Sequence, residues 1–185
     1  MKIRRLSCAI LLPIAMAGTG LAQQPGVERL APFVPSPQPV VDRMLEAADV
    51  KPGETVFDLG CGDGRILITA ARDFKAKGVG VELSGELVKQ AREQVSKLGL
   101  SNRVTILQGD LLAADLRSAD VVTLYLLTES NDRLKPILVK SLRPGARVVS
   151  HDFSIRGWKP AQVARVEVSG RFHTIYVYQM PPVKD

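Results

Sequence analysis

Apolar and polar positions repeat along the chain in two periods, and each change of period marks an element. Val40, Val41, Met44, Leu45 and Ala48 fall on one helical face behind Pro39, a residue suited to a first helical turn, and the pattern stops at Lys51-Pro52-Gly53. Thr55-Val56-Phe57-Asp58-Leu59 is a short run rich in β-formers; Gly60 to Gly64 breaks it, and residues 66–71 resume an apolar helical run. The unit reads strand, glycine loop, helix. A second strand over residues 78–83 leads to Ser84, a helix cap, and the helix behind it buries Leu87, Val88, Ala91, Val95 and Leu98. Further strands are predicted at residues 104–108, 121–127 and 147–151, with a helix at 131–142 and a turn at Arg143-Pro144-Gly145. Residues 163–168 and 174–179 read as a closing antiparallel pair.

Strands alternating with helices require a parallel sheet covered on both faces. The fold class is therefore α/β: a Rossmann-like, doubly wound, mostly parallel seven-strand sheet with a C-terminal antiparallel hairpin. With 185 residues, 45% of them hydrophobic and 24% charged, the chain has room for one domain and one core. Residues 1–22 read as a signal peptide or N-terminal apolar segment: basic at 2–5, mostly apolar over 6–17, short for a membrane span, with small residues near Gln23 where a signal peptidase would cut. Residues 23–38 form a proline-rich arm, with Pro25, Pro32, Pro35 and Pro37 ahead of Pro39, and residues 39–185 form the α/β domain.

The formal charge of +6 invites a nucleic-acid reading, but removing Lys2, Arg4 and Arg5 from the 25 basic residues leaves 22 against 19 acidic. The remainder are scattered, so no nucleic-acid partner is expected. Cys8 sits in the leader and Cys61 in the glycine loop, so no intrachain disulfide is drawn. His151 and His173 show no zinc-ligand spacing, and no metal is expected.

In a doubly wound sheet the ligand lies beyond the carboxyl ends of the strands, held mainly by the first strand-to-helix loop. That loop is Asp58-Leu59-Gly60-Cys61-Gly62-Asp63-Gly64. Its glycines are spaced G-x-G-x-G, not the G-x-G-x-x-G of dinucleotide sites, and Asp58 and Asp63 suit a cationic amine better than a pyrophosphate. Amides at the following helix N-terminus favour a carboxylate. Glu82, ending the second strand, is placed for ribose hydroxyls, and Asp110, ending the third with Leu111 beside it, for an adenine amino group. The expected cofactor is S-adenosyl-L-methionine. The bland alternative, a tight turn with solvated acids, leaves the shared edge of all three strand ends unexplained.

These residues resemble the class I methyltransferase pattern. More narrowly, Pro32 to Pro37, Asp58 to Arg65, Thr123 to Leu127 and Val149 to Phe153 resemble the mitochondrial protein-lysine methyltransferases that modify the ATP synthase c subunit and the adenine nucleotide translocase, and their bacterial relatives. The likeness spans residues 32–158, and the arm and the fourth and fifth strand ends carry the narrower part of it. The resemblance implies a protein-lysine substrate, membrane-associated in the family; it fixes no oligomeric state.

Methyl transfer from a sulfonium is an in-line displacement, so alignment and exclusion of water are the main tasks. A lysine ammonium, with a pKa of about 10.4 in water, must first lose its proton, and burial beside a positive sulfonium favours that loss. Tyr125 and Asp152 are the candidate catalytic residues; Phe33, Ser36, Glu129, His151, Phe153 and Trp158 are candidates to line the acceptor pocket. Each has a plainer reading: Tyr125 and Phe153 as core aromatics, Glu129 as a helix-entry charge, His151 as a satisfied strand residue, Trp158 as a loop anchor, the arm as a linker. Two other functions stay open at this point, a small-molecule N- or O-methyltransferase and a non-catalytic cofactor-binding protein. The leader points to an exported or periplasmic protein, in tension with a cytosolic cofactor; an uncleaved membrane tether and, with translation from Met16, the cytoplasm are the alternatives.

Overall fold

The computed structural model describes residues 30–185; the apolar leader, Met16 and the first part of the arm lie outside the described residues. The elements follow the order α1 (Gln38–Ala47), β1 (Thr55–Leu59), α2 (Arg65–Asp73), β2 (Lys77–Glu82), α3 (Gly85–Lys97), β3 (Val104–Gln108), β4 (Val121–Leu124), α4 (Thr128–Ser141), β5 (Arg147–His151), β6 (Trp158–Lys159), β7 (Gln162–Val168), β8 (Arg171–Gln179) and β9 (Val183–Lys184). A 3-10 turn, Leu111–Ala113, follows β3. Seven strands form one sheet in the order β3-β2-β1-β4-β5-β8-β7. β1 to β5 are parallel, and β8 runs antiparallel to both β5 and β7. This is the doubly wound, mostly parallel sheet closed by a hairpin that the sequence predicts.

Side chains alternate between the two faces of each strand, and the core divides accordingly. Val56, Val121 and Val149 point to the layer holding α1, α2 and α3; Phe57, Leu59, Val122, Leu124 and Val148 point to the layer holding α4. Burial on both faces is why the central strands read as continuous apolar runs. Gly80 in β2 lets the two layers of one face touch: a Cβ there would lie 2.6 Å from Cys61 Sγ and 2.8 Å from Leu67 Cδ1.

Two expectations are corrected. β4 ends at Leu124, not 127: its pairing with β1 stops at Leu59 and its pairing with β5 at Ser150. The extended residues Tyr125 to Leu127 instead lead into α4, which begins at Thr128, not 131. A two-stranded sheet, β6 with β9, was not expected; its segments are two residues each, too short to show a period. No helix among the described residues is long and apolar enough to cross a membrane.

The arm takes a path that matters for the site. Leu30 packs into the α4-side layer, where the Ser130 hydroxyl donates to its carbonyl, whereas Gln38 starts α1 on the opposite face. Residues 31–37 therefore cross the carboxyl edge of the sheet. The strand order reverses between β1 and β4, and the crossing lies over that point.

Candidate active site

A cleft opens where the arm crosses the edge. Its floor is Asp58, Gly60, Cys61, Gly62 and Asp63; one wall is Glu82, Leu83, Asp110 and Leu111; its roof is the arm from Leu30 to Ser36; and Tyr125 and Leu126 close the far end. Gly60, Gly62 and Gly64 hold φ values of +85°, +53° and +79°, which bend the chain tightly between β1 and α2. Gly64 does not line the cleft; it opens α2, where a Cβ would press on Ala91 at 3.3 Å.

Asp58 is buried, and the Thr123 hydroxyl donates to its Oδ1 at 2.7 Å. The register explains the pair, since Asp58 and Thr123 are direct neighbours on β1 and β4. Burial, with smaller contributions from the Glu82 and Asp63 charges, pushes the Asp58 carboxyl up to about 7 against the lowering effect of Thr123. Such a carboxylate gains most from a cation delivered to it. Burial also pushes the Cys61 thiol up, helped by Asp58 and Glu82, so that cysteine is an inert packing group.

Glu82 has a double task. Its Oε2 accepts from the Gly62 amide at 3.1 Å and its Oε1 from the Ser84 amide at 2.8 Å, so it ties the glycine loop to the start of α3 while lining the cleft. Asp110 similarly accepts from the Leu112 amide at 2.9 Å and presents its carboxylate to the same wall. Both acids are pre-oriented by backbone donors, with acceptor capacity left for a ligand. Glu82→Gln turns an NH₂ group against one of the two amides. It is expected to cost about 1–2 kcal/mol, lowering the melting temperature by roughly 3–6 °C, and to weaken cofactor binding at least about tenfold. Calorimetry of melting and of binding checks both, and an unchanged melting temperature would show that the loop tether is idle.

The arm is pinned by several contacts. Arg65 donates to the Ser36 carbonyl at 2.9 Å while its guanidinium grips Asp63, with Nη2 at 2.6 Å from Oδ2. The Phe33 ring lies directly on Gly62. Ser36 Oγ lies 3.0 Å from His151 Nδ1. His151 is fully buried and stacks on Tyr125 with ring centroids 3.8 Å apart. Burial, reinforced by the His173 and Arg171 charges and opposed by Asp152, holds the His151 imidazole well below its ordinary range, at about 4.

The structure thus brings most of the expected residues together and separates others. Asp58, Gly60, Cys61, Gly62, Asp63, Glu82, Asp110, Leu111, Phe33, Ser36 and Tyr125 all line one cleft. His151, Asp152 and Phe153 stand behind Tyr125, outside the cleft wall, with Phe153 6.2 Å from the Tyr125 ring. Glu129 is exposed on the first turn of α4 and pairs with Arg156 at 2.9 Å. Trp158 is buried edge-on against Tyr178 in the α4-side core and does not reach the cleft. Thr123, Arg65 and His173 are not among the site candidates that the sequence offers; Thr123 is marked only by a hydroxyl in an apolar run one strand from Asp58. His151, Asp152 and His173 also present ligand-type atoms within 4.8 Å of one another, a cluster that sequence spacing did not show. His173 Nδ1 lies within hydrogen-bond distance of both His151 Nε2 and Asp152 Oδ2, so one proton is shared among the three atoms.

Known proteins share this arrangement. The model of the ANTKMT methyltransferase domain matches residues 58–162. A protein-lysine N-methyltransferase from Saccharolobus islandicus (strain REY15A) is 51% identical over 148 residues, 80% of this chain and 92% of its own length. The adenine nucleotide translocase lysine N-methyltransferase of Mus musculus is 34% identical over 162 residues, covering 80% of this chain and 70% of its own length. Among solved structures, an RNA methyltransferase from Salinibacter ruber in complex with S-adenosyl-L-homocysteine superposes with a TM-score of 0.75 at 49% identity, over 80% of this chain and 94% of that one.

Proposed function

Because this chain belongs to the ANTKMT methyltransferase domain family and is an S-adenosylmethionine-dependent methyltransferase, we propose that its acceptor is the ε-amine of a protein lysine. The observation that carries the proposal is the likeness to two relatives named for this chemistry, the Saccharolobus protein-lysine N-methyltransferase at 51% identity and the mouse adenine nucleotide translocase lysine N-methyltransferase at 34%. The cleft agrees with it in one respect: Arg65, which lines it, is paired with Asp63.

The residues present fit the methyl donor. Asp58 would take its amine, the amides of the glycine loop its carboxylate, Glu82 its ribose hydroxyls and Asp110 its adenine amino group. When bound, the cofactor supplies an electrophilic methyl carbon on a sulfonium. The protein's own work is to align the acceptor and keep water out. The arm roofs the cleft for both purposes, and the half-buried Tyr125 ring, with its hydroxyl held above the usual range by burial, forms the wall where an acceptor would enter.

Incubation with S-adenosylmethionine carrying a labelled methyl group, a lysine-rich random-coil polypeptide, the same polypeptide fully acetylated, and RNA tests the reading. Label is expected as methyllysine in the first acceptor alone. Label in RNA with none in the free polypeptide would overturn the lysine assignment in favour of the chemistry named for the Salinibacter protein.

A further inference from the structure

Behind the cleft wall four side chains form one chain of contacts. Ser36 Oγ lies 3.0 Å from His151 Nδ1, His151 Nε2 lies 2.9 Å from His173 Nδ1, and His173 Nδ1 lies 3.1 Å from Asp152 Oδ2. At one end Ser36 lines the cleft; at the other the Asp152 side chain is 15% exposed beside Arg171, which donates to it at 3.2 Å. The chain therefore runs from the cleft to the surface of the molecule through two buried imidazoles.

We infer that Ser36, His151, His173 and Asp152 form a proton relay that removes the proton of a protonated acceptor, with Ser36 supplied by the arm that roofs the cleft. This rests on the lysine reading for the identity of the acceptor. Ser36 is the residue that touches the acceptor; His151, His173 and Asp152 act through it.

The bookkeeping closes without an outside reagent. The acceptor ammonium gives its proton to Ser36 Oγ as the hydroxyl proton of Ser36 moves to His151 Nδ1, and the proton on His151 Nε2 moves to His173 Nδ1. The charge ends on His173 as an imidazolium facing the Asp152 carboxylate, from which it equilibrates with solvent. The lone pair freed on the acceptor nitrogen then forms the new N–C bond as the S–C bond of the donor breaks, its electron pair staying on sulfur.

Three further observations support this direction of flow. His151 is neutral near pH 7, being held near 4, so it passes a proton on and does not store one. Asp152 is fixed as the terminus, with a left-handed φ of +59° and its Oδ1 accepting from the Thr174 amide at 2.8 Å, which leaves Oδ2 to be shared by the imidazoles and Arg171. The groups facing His151 are Ser36 from the arm, the Tyr125 ring beyond β4, Asp152 beyond β5, and His173 and Arg171 from β8; the carboxylate lies on the side away from the cleft.

The chain has two histidines, both in the relay, so imidazole nitrogen NMR of the full-length protein reports on it directly. His151 is expected neutral with its proton on Nε2 from pH 6 to 8. A proton on Nδ1, pointing at Ser36, would overturn the relay, because that nitrogen could accept nothing. In labelled-methyl transfer to the lysine-rich polypeptide, Ser36→Ala and His151→Gln are expected to lower kcat at pH 7 on the order of 10²-fold. The deficit should shrink as pH approaches 10, where the amine loses its proton unaided, and Ser36→Thr should restore activity. A deficit of the same size at every pH in a variant with wild-type melting would mark a purely structural role. If the wild-type protein labels no lysine, the acceptor assignment fails while the NMR result still decides the relay.

Discussion

Asp58→Asn is expected to raise the melting temperature of the ligand-free protein at pH 8 by roughly 5–10 °C while weakening S-adenosylmethionine binding about 100-fold or more. Asn keeps the acceptor that Thr123 needs and removes the buried charge. The carboxyl titrates at about 7 in the folded protein against 3.8 in an unstrained chain, so folding favours its protonated form. The stability this confers is complete below about pH 4 and is lost as pH rises through 7, where the folded protein must ionise a desolvated group. At 1.36 kcal/mol per pH unit the penalty at pH 8 is about 2–4 kcal/mol, and Asn is spared it. The same charge is what a ligand ammonium would neutralise, so donor affinity in the wild-type protein should fall as pH drops below 7, where the ammonium must displace a proton. Melting curves of both proteins from pH 5 to 8, with titration calorimetry of the donor, check the two halves. Parallel melting-pH curves would mean that Asp58 carries no buried charge.

Why the donor side of the site was readable and the acceptor side was not follows from the distance along the chain between interacting groups. Asp58, Gly62, Glu82 and Asp110 each end a strand whose period and turn residues lie within a few positions, so local pattern alone sets them on one edge. The relay depends on pairing that no local pattern states: β8 folds back so that His151 lies opposite Ile175 and beside His173. The arm reads as extended from its prolines, but its role as a roof depends on anchors at Ser130 and His151, one hundred or more residues away. Trp158 shows the opposite failure. The sequence offers it as a candidate to line the acceptor pocket, yet the chain turns at Gly157 and buries the indole in the α4-side core. Asn131, expected to begin α4, is buried one turn inside it, where its amide donates to the Phe153 carbonyl at 3.1 Å and fixes the segment that follows β5.

Gly62→Val is expected to abolish measurable donor binding and to free the arm, and the double variant Gly62→Val/Phe33→Ala should recover only part of the loss. A Cβ at Gly62 would lie 2.4 Å and 2.8 Å from two carbons of the Phe33 ring, so the ring must leave the loop. Overpacking of this kind costs about 1–3 kcal/mol. A second cost is independent of Phe33: at φ +53° a β-branched residue resists the left-handed conformation by about 1–2 kcal/mol or more, which misplaces the Gly62 amide now donated to Glu82. Trimming Phe33 relieves the first cost and leaves the second, so the two substitutions combine with less than additive loss in a double-mutant cycle. Donor affinity by titration calorimetry and protease cleavage within residues 31–37 read the two costs separately. Cleavage should rise in both Gly62→Val proteins and in Phe33→Ala alone, because the ring is the arm's contact with the loop. Full recovery of affinity in the double variant would show that the glycine is there to make room for the arm and not to aim an amide. Unchanged affinity in Gly62→Val itself would place the cofactor somewhere other than on this loop.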